Sequence, residues 1–486
     1  MTSRLMTAAV ALLLASCAVG PDFKTPAAPE GAGYVPEKTL PATQSVDAAG
    51  GAAQRFVEGQ DIPGQWWTLF HSEALNALIE DALKTNPTLD AAQATLRQAQ
   101  ENALAQGGIQ FPQINGSLSS TRQRITGAAV GQSGNGSIFT LTTGSLSVSY
   151  GIDLFGATRR LIENADALAE YQKYQLEASY LTITSNVVAA AIQEASLRAQ
   201  IAATQEIVDA QGELLNVLQK QFELGGASRA GVLAQQAALA ATQATMPNLQ
   251  KLLAQQRILL GALAGKLPND EVAQKFDLAA LQLPADLPLS LPSQLVQQRP
   301  DIAAAQAQLH AASAEVGVSI AAMLPQITLT GSYGNSVLDA ASLFSGPGIW
   351  SLGAGITQPL FRGGQLLHQK RAAEAAFDVA ASQYRATVVA AFQNVADALR
   401  ALQSDAQSLA AQVEAERAAN ESMALTRSQY QFGAVNYTTL LTAETTYQQA
   451  HINRVIAQAT RYADTAALFQ ALGGGWWNRA DIEQKS

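Results

Sequence analysis

"FPQINGSLSSTRQR", residues 111–124, recurs 213 positions later as "LPQITLTGSYG", residues 324–334. Each copy has proline as its second residue and is followed by a second run with strict alternation. Leu146, Val148, Tyr150 and Ile152 alternate with Ser145, Ser147, Ser149 and Gly151, and Trp350, Leu352, Ala354 and Ile356 repeat the pattern after "DAASLFSGPG". A period of two marks a strand with unlike faces. The far face here carries Ser, Thr and Gly instead of the charges usual on a solvated sheet. Two hairpins, 112–154 and 325–360, are therefore expected, with strands near the length of about 9 to 11 residues that crosses a bilayer at a tilt.

Working outward, more of the chain proves to be duplicated. "KTNP" at 84–87 faces "QQRP" at 297–300 with the same offset of 213, and "KQFELGGASRAGVL" at 220–233 faces "SQYQFGAVNYTTLL" at 428–441 with an offset of 208. "LLGALAG" at 259–265 returns as "LFQALGG" at 468–474. The expected organisation is two units, 61–275 and 276–475, with a C-terminal tail at 476–486. After each hairpin, 157–224 holds no proline and one glycine, and 365–432 holds neither. Each stretch reads as one helix of about 100 Å at 1.5 Å per residue. Each ends in a glycine turn, and a return helix follows, interrupted at Pro247 in the first unit and free of proline from Tyr437 to Leu472 in the second. The alanine-rich composition permits close helix approach and lacks the leucine heptads of a fibrous coiled coil.

The N-terminus carries a different signal. Arg4 and an apolar run from Met6 to Ala15 have the layout of a secretory signal, 1–16, too short to span a bilayer. Leu14-Ala15-Ser16-Cys17 resembles a bacterial lipobox, which implies cleavage between Ser16 and Cys17 and acylation of Cys17, the single cysteine of the chain. Each buried methylene of an acyl chain contributes about 0.8 kcal/mol, so several chains anchor durably. By the same resemblance Ala18, in place of Asp, points to the outer membrane. Residues 17–60, rich in Pro, Ala and Gly, read as a lipidated extended tether.

With 14% charged residues, 48% hydrophobic residues and a net charge of -9, the chain suits neither disorder nor nucleic-acid binding. After the signal no run of 18 or more apolar residues follows, so entry into outer-membrane lipid must use strands. Four strands cannot close a barrel, and open edges leave backbone groups without partners in lipid. Two copies would give 8 strands and a filled interior; three or four give 12 or 16 and a lumen, the option favoured by Gly, Ser and Thr on the far face. His71, His310, His368 and His451 are isolated in the sequence and read as solvated helix positions, without metal-ligand spacing or a nucleophile motif. "GNGS" at 134–137 and "FRGGQ" at 361–365 lack the strand and helix flanks of a phosphate loop. No catalytic residue, cofactor or metal is expected, and the chain is not read as an enzyme. Trp350 is a candidate interface anchor, whereas the pairs Trp66–Trp67 and Trp476–Trp477 suit packing.

Taken in order, "CAVGPDFKTP" at 17–26, "QWWTLF" at 65–70, "ALNALIEDALKTNPTLDAAQATLRQA" at 74–99, "FPQI" at 111–114, "IDLFG" at 152–156, "RPDIAAAQAQLHAASAEVGVSIAAMLPQITLTGSYG" at 299–334, "ITQPLFRGG" at 356–364 and "SQYQFGAVNYTTLLTAE" at 428–444 resemble the TolC-type outer membrane factors, in the lipoprotein branch that serves tripartite multidrug efflux. The resemblance runs from Cys17 to Gly474. It implies a mainly α protein with membrane β: a homotrimer whose 12-stranded barrel, four strands per chain, continues into a 12-helix tunnel. It also implies a passive export channel for small toxic compounds, reaching from the outer membrane into the periplasm and opened by a membrane-fusion adaptor coupled to an inner-membrane RND-type transporter. Protein secretion through the same kind of channel, and a non-conducting surface lipoprotein, are the alternatives. By motif, the adaptor would meet Leu224, Gly225, Gly226, Arg229, Val232 and Leu233 at the first turn, and Phe432, Gly433, Ala434, Tyr437 and Leu440 at the second. Thr442 stands where many drug-efflux relatives carry a constricting aspartate, and Thr438 where leucine is frequent. A less negative periplasmic gate at Thr438 and Thr442 is therefore expected.

Overall fold

The computed structural model describes residues 18–29, 33–37, 40–126 and 136–479. Ser16 and Cys17, the expected cleavage and lipidation pair, lie outside the described residues, as does most of the loop between the first two strands of the hairpin pair. In chain order the principal elements are β1 (Arg55–Glu58), α1 (Glu73–Thr85), α2 (Pro87–Gly107), β2 (Gln113–Ile125), β3 (Ser137–Ile152), α3 (Ala157–Glu223), α4 (Arg229–Leu263), β4 (Asp286–Leu289), α5 (Pro292–Gln298), α6 (Pro300–Ala321), β5 (Gln326–Val337), β6 (Gly348–Thr357), α7 (Gln365–Gln431) and α8 (Tyr437–Ala471). Two compact units share them, each drawing on both halves of the sequence.

The first unit contains 95–173 and 304–385 with the N-terminal residues up to Pro26. Its centre is a four-stranded antiparallel sheet in the order β2-β3-β5-β6. The register aligns the apolar rows: Leu146 faces Tyr333, which faces Trp350, and Ile152 faces Ile327, which faces Ile356. The hydroxyls align as well, and Ser117–Ser145 (2.9 Å), Thr143–Ser336 (2.9 Å) and Ser332–Ser351 (2.8 Å) bond across strands. Strands of 13, 16, 12 and 10 residues exceed in part the expected length. The apolar row is open to its surroundings, with Leu352 at 80% and Trp350 at 72% exposure. Among the described residues β2 and β6 each pair on one side only. A sheet of this kind is completed by further strands.

The second unit contains 27–94, 174–303 and 386–486. Trp66, Phe70, Leu75, Leu78, Phe276 and Phe469 form its core, with Trp66 stacked on Phe469 at 5.4 Å. The segment expected to be a surface tether is more embedded than that. Residues 55–58 pair in parallel with 286–289, and Thr43 and Gln54 are buried. Arg461, fully buried, donates to Gly50 O (2.9 Å), Ala52 O (2.7 Å) and Thr43 Oγ1 (2.9 Å). A buried guanidinium needs several acceptors, and the extended segment supplies them through its carbonyls.

α3 and α7 each run unbroken for 67 residues, and the return helices α4 and α8 each for 35. The expected interruption at Pro247 does not occur; Pro247 lies inside α4. A proline removes one i→i−4 bond at a cost of about 3 kcal/mol, and a long cooperative helix retains enough bonds on either side to continue. The duplicated prolines have a local role. Pro disfavours the α region in the residue before it, so Asn86 (φ -74, ψ 116) and Arg299 (φ -81, ψ 124) are extended and turn outward from their helices. Asn86 Nδ2 then donates to Leu263 O (2.8 Å) and Arg299 Nη1 to Ala471 O (2.7 Å), in each case the last residue of a return helix.

Candidate functional site

The turns between α3 and α4 and between α7 and α8 have one backbone design. Gly226 N donates to Gln221 O (2.7 Å) and Gly225 N to Phe222 O (3.0 Å); 208 positions later Ala434 N donates to Gln429 O (2.9 Å) and Gly433 N to Tyr430 O (3.0 Å). This pair of hydrogen bonds is the Schellman ending of a helix, which places the residue just past the helix cap in the left-handed region. Gly225 (φ 77) and Gly433 (φ 73) occupy that place. Ser228 Oγ then caps Gly231 N (3.1 Å) and Asn436 Oδ1 caps Thr439 N (3.0 Å), starting the return helices.

The residues assigned to these turns divide by exposure. Leu224 (88%) and Phe432 (85%) project from the tips of the two turns. Gly225, Gly226, Arg229, Leu233, Gly433 and Ala434 are exposed, and Val232 is half-buried. Leu440 departs from its expected place on an outer contact surface: it is fully buried and packs inside the turn. Tyr437 is turned inward too. Its hydroxyl bonds Gln235 Oε1, and its ring meets Tyr430 edge-on at 5.9 Å.

Sequence reading missed the network around Tyr437. Tyr430 Oη donates to Gln221 Oε1 (3.3 Å), buried Gln235 donates through Nε2 to Gln211 O (2.8 Å), and Gln211 Nε2 donates to Gln448 Oε1 (3.4 Å). Arg427 pairs with the buried carboxylate of Glu444 at 3.2 Å. Burial pushes the Glu444 carboxyl up, against the pull of Arg427. Burial also raises the Tyr437 phenol, with the Glu444 charge adding to it, so Tyr437 stays a hydrogen-bond donor at neutral pH. One signal could have pointed to the ion pair: Arg427 and Glu444 stand nearly equidistant from Val435 across an antiparallel helical turn. The links of Gln235 to Tyr437, Gln221 to Tyr430 and Gln211 to Gln448 had none, because they join residues of different repeats. A groove of about 570 Å³ lies between the two turns, lined by Glu213, Val217, Gln221, Arg427, Tyr430 and Val435 among others.

Thr438 and Thr442 are exposed, and Thr442 Oγ1 donates back to Thr438 O (3.0 Å). They share a shallow pocket with Ser422, Thr426, Thr439 and Thr446, a wall of hydroxyls without a carboxylate. The histidines are less solitary than expected. His310 Nε2 lies 2.9 Å from Glu163 Oε1 and stacks on Phe23 at 4.4 Å, while His451 Nδ1 bonds Glu416 and stacks on Tyr447. Among the described residues no cluster of His, Cys, Asp and Glu could hold a metal ion. No described helix is long and apolar enough to cross a membrane.

The description "outer membrane efflux protein" belongs to the family model that matches residues 78–266 and 291–474. The "Probable efflux pump outer membrane protein TtgC" of Pseudomonas putida is 31% identical over 485 residues, 99% of this chain and 97% of the relative. The solved outer-membrane channel OprN superposes with a TM-score of 0.84 at 26% identity, over 95% of this chain and all of that one. VceC of Vibrio cholerae superposes with 0.80 at 26% identity, over 85% of this chain and 100% of that one. The chain belongs to the outer membrane efflux protein family, has its TolC-like channel fold, and is an outer membrane channel component of an efflux pump.

Proposed function

We propose that three copies close the sheet into a 12-stranded barrel with the apolar rows toward lipid, and that their helices form a 12-helix tunnel through which small toxic compounds pass without an energy source of the channel's own. Energy then comes from an inner-membrane RND-type transporter, coupled through a periplasmic adaptor. Leu224 and Phe432, projecting from paired turns of one design, offer the adaptor matching apolar contacts. Cys17 begins the mature chain after cleavage behind Ser16 and carries the acyl anchor.

The observation that carries the gating part is the link between the repeats at the turns. Tyr437–Gln235 and Tyr430–Gln221 tie the second turn to helices of the first repeat, and Arg427–Glu444 braces the second turn itself. Adaptor docking opens the channel by exchanging these bonds for intermolecular ones. Thr438 and Thr442 border the passage with hydroxyls, so the gate selects weakly by charge. Reconstitution in planar bilayers tests this: Tyr437→Phe combined with Gln235→Ala is expected to raise single-channel conductance several-fold. A parent already fully open, or a double variant as closed as the parent, would refute the gate. Deletion of the gene with susceptibility profiling, and crosslinking of an adaptor at Gly433, test the pump assignment.

A further inference from the structure

The residues that follow Cys17 occupy a built seat. Val19 N donates to Phe155 O (2.9 Å), just beyond the end of β3, and Val19 O accepts from Arg160 Nε (3.2 Å). Arg160 reaches further along the same segment, with Nη2 on Asp22 Oδ1 (2.7 Å), and its Nη1 is held by Glu163 Oε2 (2.7 Å). The other oxygen of Glu163 meets His310 Nε2 (2.9 Å), and the His310 ring carries Phe23 in a stack inclined by 14°. The Arg160 side chain is 5% exposed, so its charge is met by these carboxylates and the Val19 carbonyl.

The backbone on both sides is trimmed to fit. A Cβ on Gly20 (φ 99) would lie 2.5 Å from Gly317 Cα, and a Cβ on Gly317 would lie 3.0 Å from Val19 O and 2.9 Å from Arg160 Cγ. Glycine inside a helix is destabilising relative to alanine. Its place within α6 is accounted for by the segment crossing over it. Among the described residues nothing covers the second repeat in this way. Leu154 and Phe155 at the foot of the first hairpin are half-buried, whereas Leu360 and Phe361 at the foot of the second are 92% and 89% exposed.

We infer that residues 18–23 are a docking peptide, seated by Arg160, Glu163, His310 and Gly317, which holds the chain's anchor-bearing end at the foot of β3. Arg160 is the positioning residue. Position 17 is one peptide bond from the seat, so acyl chains there are registered to the barrel and not trailed on a leash. That consequence rests on the acylation proposed above; the seat itself does not.

The test places a nitroxide at exposed position 24 by Lys24→Cys in the full-length protein in lipid nanodiscs, with mass spectrometry of the N-terminal peptide on the same sample. Acylated Cys17 offers no thiol; where the thiol is found free, Cys17→Ser is added. The parent is expected to give a restricted spectrum. Arg160→Ala and Gly317→Ala are each expected to shift most of the signal to a mobile component, with Asp22→Asn, at an exposed carboxylate, giving a partial shift in a folded protein should Arg160→Ala fail to fold. Gly317→Ala discriminates sharply, since helix propensity alone would raise thermal stability and leave the label restricted. A mobile label in the parent, or restricted labels in the variants, overturns the seat. A restricted label on an unacylated chain sinks the acylation reading and leaves the seat standing.

Discussion

The two helical turns have the same backbone bonds at matching positions, yet they hold different things. The first ends in Leu224, Gly225 and Gly226 and contributes neutral amides, Gln211, Gln221 and Gln235. The second contributes two tyrosines and a partly buried ion pair, and it packs Leu440 where the first half-buries Val232. Duplication preserved the turn because hydrogen-bond geometry and a left-handed residue allow few alternatives. The side chains that cross between repeats diverged, since each needs only a complementary partner. The same contrast marks the helix ends, where neutral Asn86 in one repeat and charged Arg299, paired with Asp301 at 2.6 Å, in the other do the same capping.

Packing should break the likeness most. Leu440→Ala is expected to lower stability by about 2–5 kcal/mol, as for a buried leucine, and Val232→Ala by clearly less; equal losses in denaturant titration would mean the turns pack alike. Next, Arg427→Ala leaves the buried Glu444 carboxylate without its cation and should cost about 1–3 kcal/mol. Adding Glu444→Gln should restore part of that, and a double-mutant cycle reads the coupling.

A third difference is titratable. Asp405 of α7 stands where α3 has the buried Leu197, 208 positions earlier. Burial, and then the facing carboxyl of Asp464, push Asp405 up to about 7, with the nearby Arg461 charge pulling the other way. Among the described residues Asp405 Oδ2 has no donor of its own, which a proton shared with Asp464 would supply. In the unfolded chain Asp405 titrates near 3.8, so the folded chain binds the extra proton between that value and about 7. Its contribution to stability is therefore present at low pH and lost as pH rises through about 7. Melting temperatures from pH 5 to 8 should fall in the parent and flatten in Asp405→Asn. Smallest in structural terms, Thr442→Asp should leave stability nearly unchanged and shift the permeability ratio toward cations; a parent already strongly cation-selective would contradict the hydroxyl gate.

Much of the architecture was legible because its signals are local. Alternation at 145–152, the proline-free runs before Leu224 and Phe432, and the paired turn glycines are each written within a few tens of residues; they mark strands, long helices and turns, and the TolC-like fold was implied by the family resemblance of the motifs. Other readings failed for want of partners. Leu440 looks like a surface leucine until its neighbours are known, Pro247 looks like a break until the length of α4 is seen, and His310 and His451 look solitary because Glu163 and Glu416 are distant in sequence.

From its own order of residues, then, this chain determined periodicity and turn type, which depend on neighbours a few positions away, and duplication, which shows when the sequence is compared with itself. Only the tertiary structure decided which polar groups meet: Tyr437 with Gln235, Arg461 with the carbonyls of Gly50 and Ala52, Arg160 with Asp22. Pairings across hundreds of residues depend on how whole helices and strands pack, and no local rule of period or propensity carries that information.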